Sequence, residues 1–384
     1  MAAQQAESRA ALAKVYANVG APCLSAAEFT LTKVFIDYKA WDAIPVEGDI
    51  AVSELADKIG GTHEVVTRIT NFFVGRGILE SPTPGRVGHS DKSRTYKSDQ
   101  PTAWVYIHMF NNVFRSFAQL PAFFAKHGLA SPTSVNFTPL GLAHGYEDKA
   151  AYDIIVGDKT VHKGFNEALR EVGDIYSLNG VYDFGWMRAP LEASSSSESG
   201  SVSVPRPAIV DVGGSHGLAL RDAIRNSPFI PAERCVVLDL PAVVENTRKN
   251  WAAGKPGHDE LQNVRLVGGT MFAAYPESVR GALIYHFRRV LNDFPDEDVI
   301  KALKTVRAAA APDSRVLIVE EMLNPKRIAL NVGIDIALMM AAGKRRNAAM
   351  FSKLAEGAGF RLNGEFLNVN SEFDDFGVLE FVVD

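Results

Sequence analysis

The chain is poor in cysteine: Cys23 and Cys235 are the only two among 384 residues. Neither belongs to a Cys-x-x-Cys pair, so a structural zinc site and a disulfide framework have no support, and a reducing compartment is implied. Basic clusters are also missing. The 40 Lys and Arg are outnumbered by 45 Asp and Glu, for a net charge of −5. Nucleic acid and an anionic membrane are therefore not expected as partners. No apolar run approaches the roughly 20 residues that a membrane span needs. The start, MAAQQAESRAALAKVYANVG, is alanine-rich, helical in pattern and carries Glu7, unlike a secretory leader. These absences predict a cytoplasmic protein without metal.

What is present is apolar mass, at 47% hydrophobic residues, enough for more than one core. One break in composition is clear: residues 193–207, ASSSSESGSVSVPRP, read as a linker or surface loop. The expected organisation is an N-terminal helical, winged-helix region over 1–100, a helical connecting region over 101–192 and an α/β domain over 208–384. Val52–Leu79 predicts two helices separated by Gly60-Gly61, with Ser53 as a cap and Val65, Val66, Ile69, Phe72 and Phe73 on one face of the second. Arg86–Tyr96 then predicts a wing strand. The second helix offers only Arg68 and Arg76 as basic residues, which favours protein packing over DNA reading. Between 101 and 120, Trp104, Ile107, Met109, Phe110, Val113, Phe114 and Phe117 exceed one packing stripe, so a surplus face is expected to line a pocket or a subunit interface.

After the break the pattern changes. AIVDVGGSHG, RCVVLDL, VRLVGG, ALIYHF and RVLIVEEML are short Val/Ile/Leu-rich runs separated by helical segments such as Leu218–Asn226. That alternation predicts a parallel, doubly wound sheet. The final residues predict a closing antiparallel hairpin. Asp211-Val212-Gly213-Gly214 follows the first of these strands and opens a helix, where small residues let a nucleotide-like ligand approach the backbone. Asp239, with Leu240 after it, ends the next strand, where a carboxylate can accept both ribose hydroxyls. Gly-x-Gly-x-x-Gly is absent, which counts against a dinucleotide.

IVDVGGSHG, VVLDLPAVVE, GGTMF, RRVLNDFPDED, VEEMLNP and GKRRN followed by FSKLAEGAGF occur in an order that resembles the plant and fungal O-methyltransferase family of the caffeic-acid type. The resemblance covers nearly the whole chain. It implies a Rossmann-like class I methyltransferase domain that binds S-adenosylmethionine, or S-adenosylhomocysteine, around Asp211, Gly213, Gly214, Asp239, Leu240, Thr270, Met271, Phe272 and Arg288. It also implies a homodimer built through the N-terminal region and a small-molecule substrate.

The departures carry the functional expectation. Methyl-transferring members have a histidine as general base where this chain has Asn292, before Asp293-Phe294, and a carboxamide is not basic near neutral pH. Of two glutamates that orient that histidine, one matches Glu321 and the other falls on Arg345. Thr270 replaces an acid of the adenine side. The pattern resembles the fungal branch of leporin- and pyridoxatin-type enzymes of 2-pyridone alkaloid biosynthesis, which implies a dehydration or pericyclic reaction with the cofactor retained as a fixed charge. Asn292, Asp293, Lys344, Arg345, Arg346 and His144 are the candidate groups at the reacting centre, and His108 is a weaker one. Methyl transfer to a hydroxylated small molecule, with Asp293 or another base, is the alternative. A non-catalytic dimeric partner and a winged-helix regulator complete the set.

Overall fold

A computed structural model describes residues 2–172, 177–196, 206–252, 259–324, 330–367 and 376–384. The chain divides into two compact units, residues 1–115 with 155–171, and residues 116–154 with 172–384. The stretch 101–192, read above as one connecting region, is shared between them. Most of the serine-rich stretch lies outside the described residues, but 193–196 continue the helix Arg188–Ser196.

The first unit opens with helix α1 (Ala2–Asp37). Over Ser8–Asp37 it is long and apolar enough to cross a membrane by length and composition. This corrects the expectation that no such stretch exists: alanines and scattered aliphatics raise the mean without forming a continuous run. Its C-terminal half packs into the unit. Phe35 meets Trp41 and Phe73 edge-on, and Glu28 pairs with Arg76 and Lys92. The helices Val52–Ile59 and His63–Gly75 follow. Gly60 ends the first in a left-handed conformation that favours glycine (φ 69°). Ser53 does not cap it, because the helix already begins at Val52. Thr62 caps the second through Val65 N–H. Val65 is half exposed, whereas Val66 and Phe73 are buried, so the apolar face is narrower than predicted.

Strands β1 (Ile50–Ala51), β2 (Leu79–Glu80) and β3 (Arg86–His89) form a small antiparallel sheet in the order β1-β3-β2. The predicted strand to Tyr96 stops at His89. Ser90 and Ser93 cap one another's backbone and start a helical turn over Asp91–Arg94 instead. The aromatic-rich stretch after 101 is a helix that widens into a π-turn at Met109–Phe114, where Phe29 of α1 stacks on Tyr106 and Phe110.

The second unit is built on a seven-stranded sheet in the order β6-β5-β4-β7-β8-β10-β9. Its strands are β4 (Ile209–Val212), β5 (Cys235–Asp239), β6 (Arg265–Gly268), β7 (Ile284–Arg288), β8 (Arg315–Glu321), β9 (Phe360–Leu367) and β10 (Phe376–Val383). β4 to β8 pair in parallel, and β10 runs antiparallel between β8 and β9. This is the expected α/β fold, a mostly parallel sheet closed by an antiparallel hairpin. Near-continuous Val and Ile in the central strands reflect burial on both faces by two apolar clusters. The helix Leu218–Asn226 falls where its periodicity placed it. Such a topology reverses direction between β4 and β7, and the loops at the carboxyl ends of the strands there form a crevice for ligands.

Candidate functional site

The glycine loop after β4 is shaped by contacts that side chains would block. A Cβ on Gly214 would lie 2.5 Å from Oδ2 of Asp211, and one on Gly213, at φ +73°, would lie 2.9 Å from Val290. Ser215 also holds a left-handed conformation (φ 47°), unusual for a residue with a side chain. Asp239 anchors that turn. Its Oδ2 accepts Ser215 N–H at 2.9 Å and its Oδ1 accepts Leu240 N–H at 2.7 Å. Burial raises the Asp239 carboxyl, and the two N–H donors pull against the rise. A carboxylate needs more than two donors to be satisfied, so it keeps acceptor capacity toward a diol.

The other predicted cofactor residues stand at the ends of adjacent strands. Thr270 Oγ1 accepts Phe272 N–H at 3.3 Å beyond β6, and Met271 and Phe272 pack on the core. Arg288 ends β7, its guanidinium pKa lowered by burial and supported by the charge of Asp211. Asp211 itself is buried and bound to His286 Nδ1 at 2.8 Å. Tyr152, which no motif signals, has its hydroxyl pushed up to about 12 by burial and then by the charges of Asp239 and Asp153. Close backbone approach, a ribose-type acceptor and a strand-end cation suit an adenosine cofactor with an amino-acid tail.

The opposite side of the site is a short turn, Leu291–Asp293. Asn292 is buried, and its Nδ2 donates to Glu320 Oε2 at 3.2 Å and to the Glu321 carbonyl at 3.3 Å. The NH2 of the amide that stands in place of the expected base is therefore spent on the protein, while its Oδ1 is buried without a hydrogen-bond partner. Asp293 differs. It is open to solvent, yet protein crowds it enough to push its carboxyl up to about 6, with Arg289 pulling slightly the other way.

The remaining predicted donors are engaged. Lys344 Nζ bonds Asp296 Oδ2 at 2.6 Å. Arg346, fully buried, bonds Asp296 Oδ1 and the carbonyls of Leu291 and Phe294. Arg345 is buried against the Glu321 carboxylate, and its backbone N–H donates to Asp335. Burial opposes ionisation of Asp296, but the bonds from Lys344 and Arg346 prevail and hold its carboxyl low. These cations buttress the turn. Lys344 N–H donates to Asn292 O at 2.8 Å, and a Cβ on Gly343 would lie 2.4 Å from that oxygen. His144 ends the short helix Pro139–Ala143, which is tied by Leu140 N–H to Met340 O. His108 lies in the first unit, bonded to Asn112 and packed on Phe165, apart from these groups in the chain's division. Sequence reasoning assigned no role to Glu320 and Asp296, although both lie inside the quoted motifs VEEMLNP and RRVLNDFPDED, because their partners are distant in sequence; Tyr152 lies in no motif.

Residues 202–361 match the model of the O-methyltransferase domain. The methyltransferase phm5 of Pyrenochaetopsis sp is 36% identical over 93% of this chain and 94% of its own length. The structure of LepI in complex with SAM has a TM-score of 0.74 at 20% identity, covering 99% of this chain and 94% of LepI. OxaC in complex with sinefungin and meleagrin has a TM-score of 0.80 at 20% identity, covering 95% and 87%; both likenesses are of fold. Glycine loop, strand-end acid, closing hairpin and a 36% identical relative along almost the whole length lead to one conclusion: this chain belongs to the O-methyltransferase family.

Proposed function

We propose that this protein transfers the methyl group of S-adenosylmethionine to a small acceptor, with Asp293 taking the acceptor's proton. The observation that carries the reading is Asp293 itself. Its carboxyl, accessible, crowded and lifted to about 6, is ionised at pH 7 and nearly as basic as an imidazole, the range in which general bases work. Asn292 cannot do that work, because its N–H groups are bound and an amide oxygen has no basicity. The cofactor, when bound, supplies an electrophilic methyl on sulfur. The residues here would seat it, with Asp239 on the ribose and the Gly213-Gly214 loop against the chain. They would hold an acceptor hydroxyl or N–H toward Asp293. The fungal methyltransferases such as phm5 support this reading over more than nine-tenths of the chain.

A dehydration or pericyclic step that leaves the cofactor intact is the second reading. The replacement of the expected histidine by Asn292, together with the buried cation Arg345, favours it. Against it, the side-chain donors of Asn292, Lys344 and Arg346 are already bonded within the protein, and Arg345 pairs with Glu321, which leaves less to aim at a developing oxyanion. Product analysis with methyl-labelled cofactor and a panel of hydroxylated aromatics and hydroxypyridones separates the two. Label in the product at enzymatic turnover, lost in Asp293→Asn, is the expected result. Conversion without label supports the second reading, and no conversion in any member defeats both on this panel.

A further inference from the structure

Glu320 lies at the end of β8 and is 3% exposed. Its Oε1 accepts the backbone N–H groups of Val290, Leu291 and Asn292 at 2.9, 2.9 and 3.2 Å, and its Oε2 accepts Asn292 Nδ2 at 3.2 Å. Four donors converge on one side chain, and all belong to the three residues before Asp293. Leu291 and Asn292 are buried, so these groups have no water to turn to, and losing the acceptor leaves them unsatisfied. The turn has little internal support. Asp293 N–H reaches Val290 O at 3.1 Å and Phe294 N–H reaches Leu291 O at 3.4 Å, while Arg289, just before, sits at φ +55°, a conformation that side chains disfavour. The turn is held from outside.

Resting on the reading of Asp293 as proton acceptor, we propose that Glu320 is a positioning residue: its buried carboxylate fixes the turn Val290–Asn292 and so aims the Asp293 carboxylate at the acceptor. Burial, and then the charge of Asp293, push Glu320 up to about 7. The charges acting on Glu320 are those of Asp293 and Arg289, and the charge acting on Asp293 is that of Arg289. Of their neighbours, Glu321 is paired with Arg345, and Asp296 with Lys344 and Arg346. Removing the Asp293 anion relieves a like charge and lets Glu320 ionise at lower pH.

The test uses the protein with S-adenosylhomocysteine added, labelled with 13C at Asp and Glu carboxyls and titrated by NMR, with Glu320→Gln to assign the Glu320 signal. Asp293→Asn is expected to lower the Glu320 midpoint, and Glu320→Gln to cut kcat for methyl transfer by about 10- to 100-fold, with KM for S-adenosylmethionine little changed. In the wild type, amide exchange at Val290, Leu291 and Asn292, corrected for its intrinsic pH dependence, is expected to lose protection as pH falls through about 7. An unchanged Glu320 midpoint in folded Asp293→Asn overturns the proposal. If that variant does not fold, pH-independent protection of the three wild-type amides overturns it. The titration and the exchange need no turnover, so failure of label transfer counts against the methyl-transfer reading alone.

Discussion

The Asn292 side chain donates to Glu320 Oε2 at 3.2 Å, an amide locked beneath the turn that presents Asp293. On the proposed function the basic group stands one residue along the chain, at Asp293. Replacing each in turn separates support from chemistry. Asp293→Asn is expected to slow methyl transfer by about 10²–10⁴-fold, the usual worth of a general base. Asn292→Ala, which removes only one donor to Glu320, is expected to slow it by less than about tenfold. Initial rates with labelled cofactor check this, and equal losses in the two variants would deny Asp293 its role.

The raised Asp293 carboxyl also predicts a pH dependence of stability. Its midpoint rises from the ordinary value of about 4 to about 6 in the fold. Between those values the folded chain holds more proton than the unfolded one, so this group's contribution is complete below about pH 4 and is lost as pH rises through about 6. Asp293→Asn is therefore expected to raise Tm relative to the wild type at pH 7 and to leave the difference small at pH 4. Thermal scans at the two values decide it, and a difference that shrinks toward pH 7 refutes the assignment.

Cofactor affinity is expected to depend on Asp239. A charge-assisted hydrogen bond to a ribose hydroxyl contributes about 1.5–3 kcal/mol, so Asp239→Ala should weaken S-adenosylhomocysteine binding by about 10-fold or more. The same change frees the Ser215 and Leu240 N–H groups that now meet this carboxylate. Isothermal calorimetry on variant and wild type gives the answer; equal affinities would place the ribose elsewhere.

Arg345 and Glu321 form a pair with little exposure, 3% and 14% for their side chains. Removing one partner from a buried pair leaves the other charge without compensation and typically costs about 3–5 kcal/mol. Arg345→Met is expected to lower the unfolding free energy by that amount, read as a lower urea midpoint. Arg345→Glu is expected to lower it further, because like charges then meet at Glu321. A urea midpoint unchanged by either substitution would show the pair to be dispensable.

On α1, Leu12, Val15, Tyr16 and Val19 are each more than half exposed and fall at helical spacing on one face. An apolar stripe of that length invites a partner, and a second copy of this chain is the proposed one. Sedimentation at micromolar concentration is expected to give a dimer for the wild type and a monomer when Val15 and Val19 are both changed to Glu. A wild-type monomer would remove the homodimer from the account.

Much of the fold could be read from sequence because its signals are local. Strand runs, the glycine turn after β4, the acid at the end of β5 and the helix Leu218–Asn226 each depend on residues a few positions apart. The wing strand was overrun because Ser90 and Ser93 cap each other, a competition between strand and turn that composition does not rank. The site's inner framework was not legible at all. Glu320 and Glu321 are neighbours, and strand alternation sends them to different surroundings, one under the Val290–Asn292 turn and one to Arg345. Lys344 and Arg346 share Asp296 across about fifty residues. Composition and periodicity determined the class of fold, and the motif series gave the expected place of a cofactor. Only the packing of β8 beside the turn and of residues 343–346 against it decided which charges are spent on structure and left Asp293 as the carboxyl open to solvent, because ion pairs form where distant segments meet and no local pattern encodes the meeting.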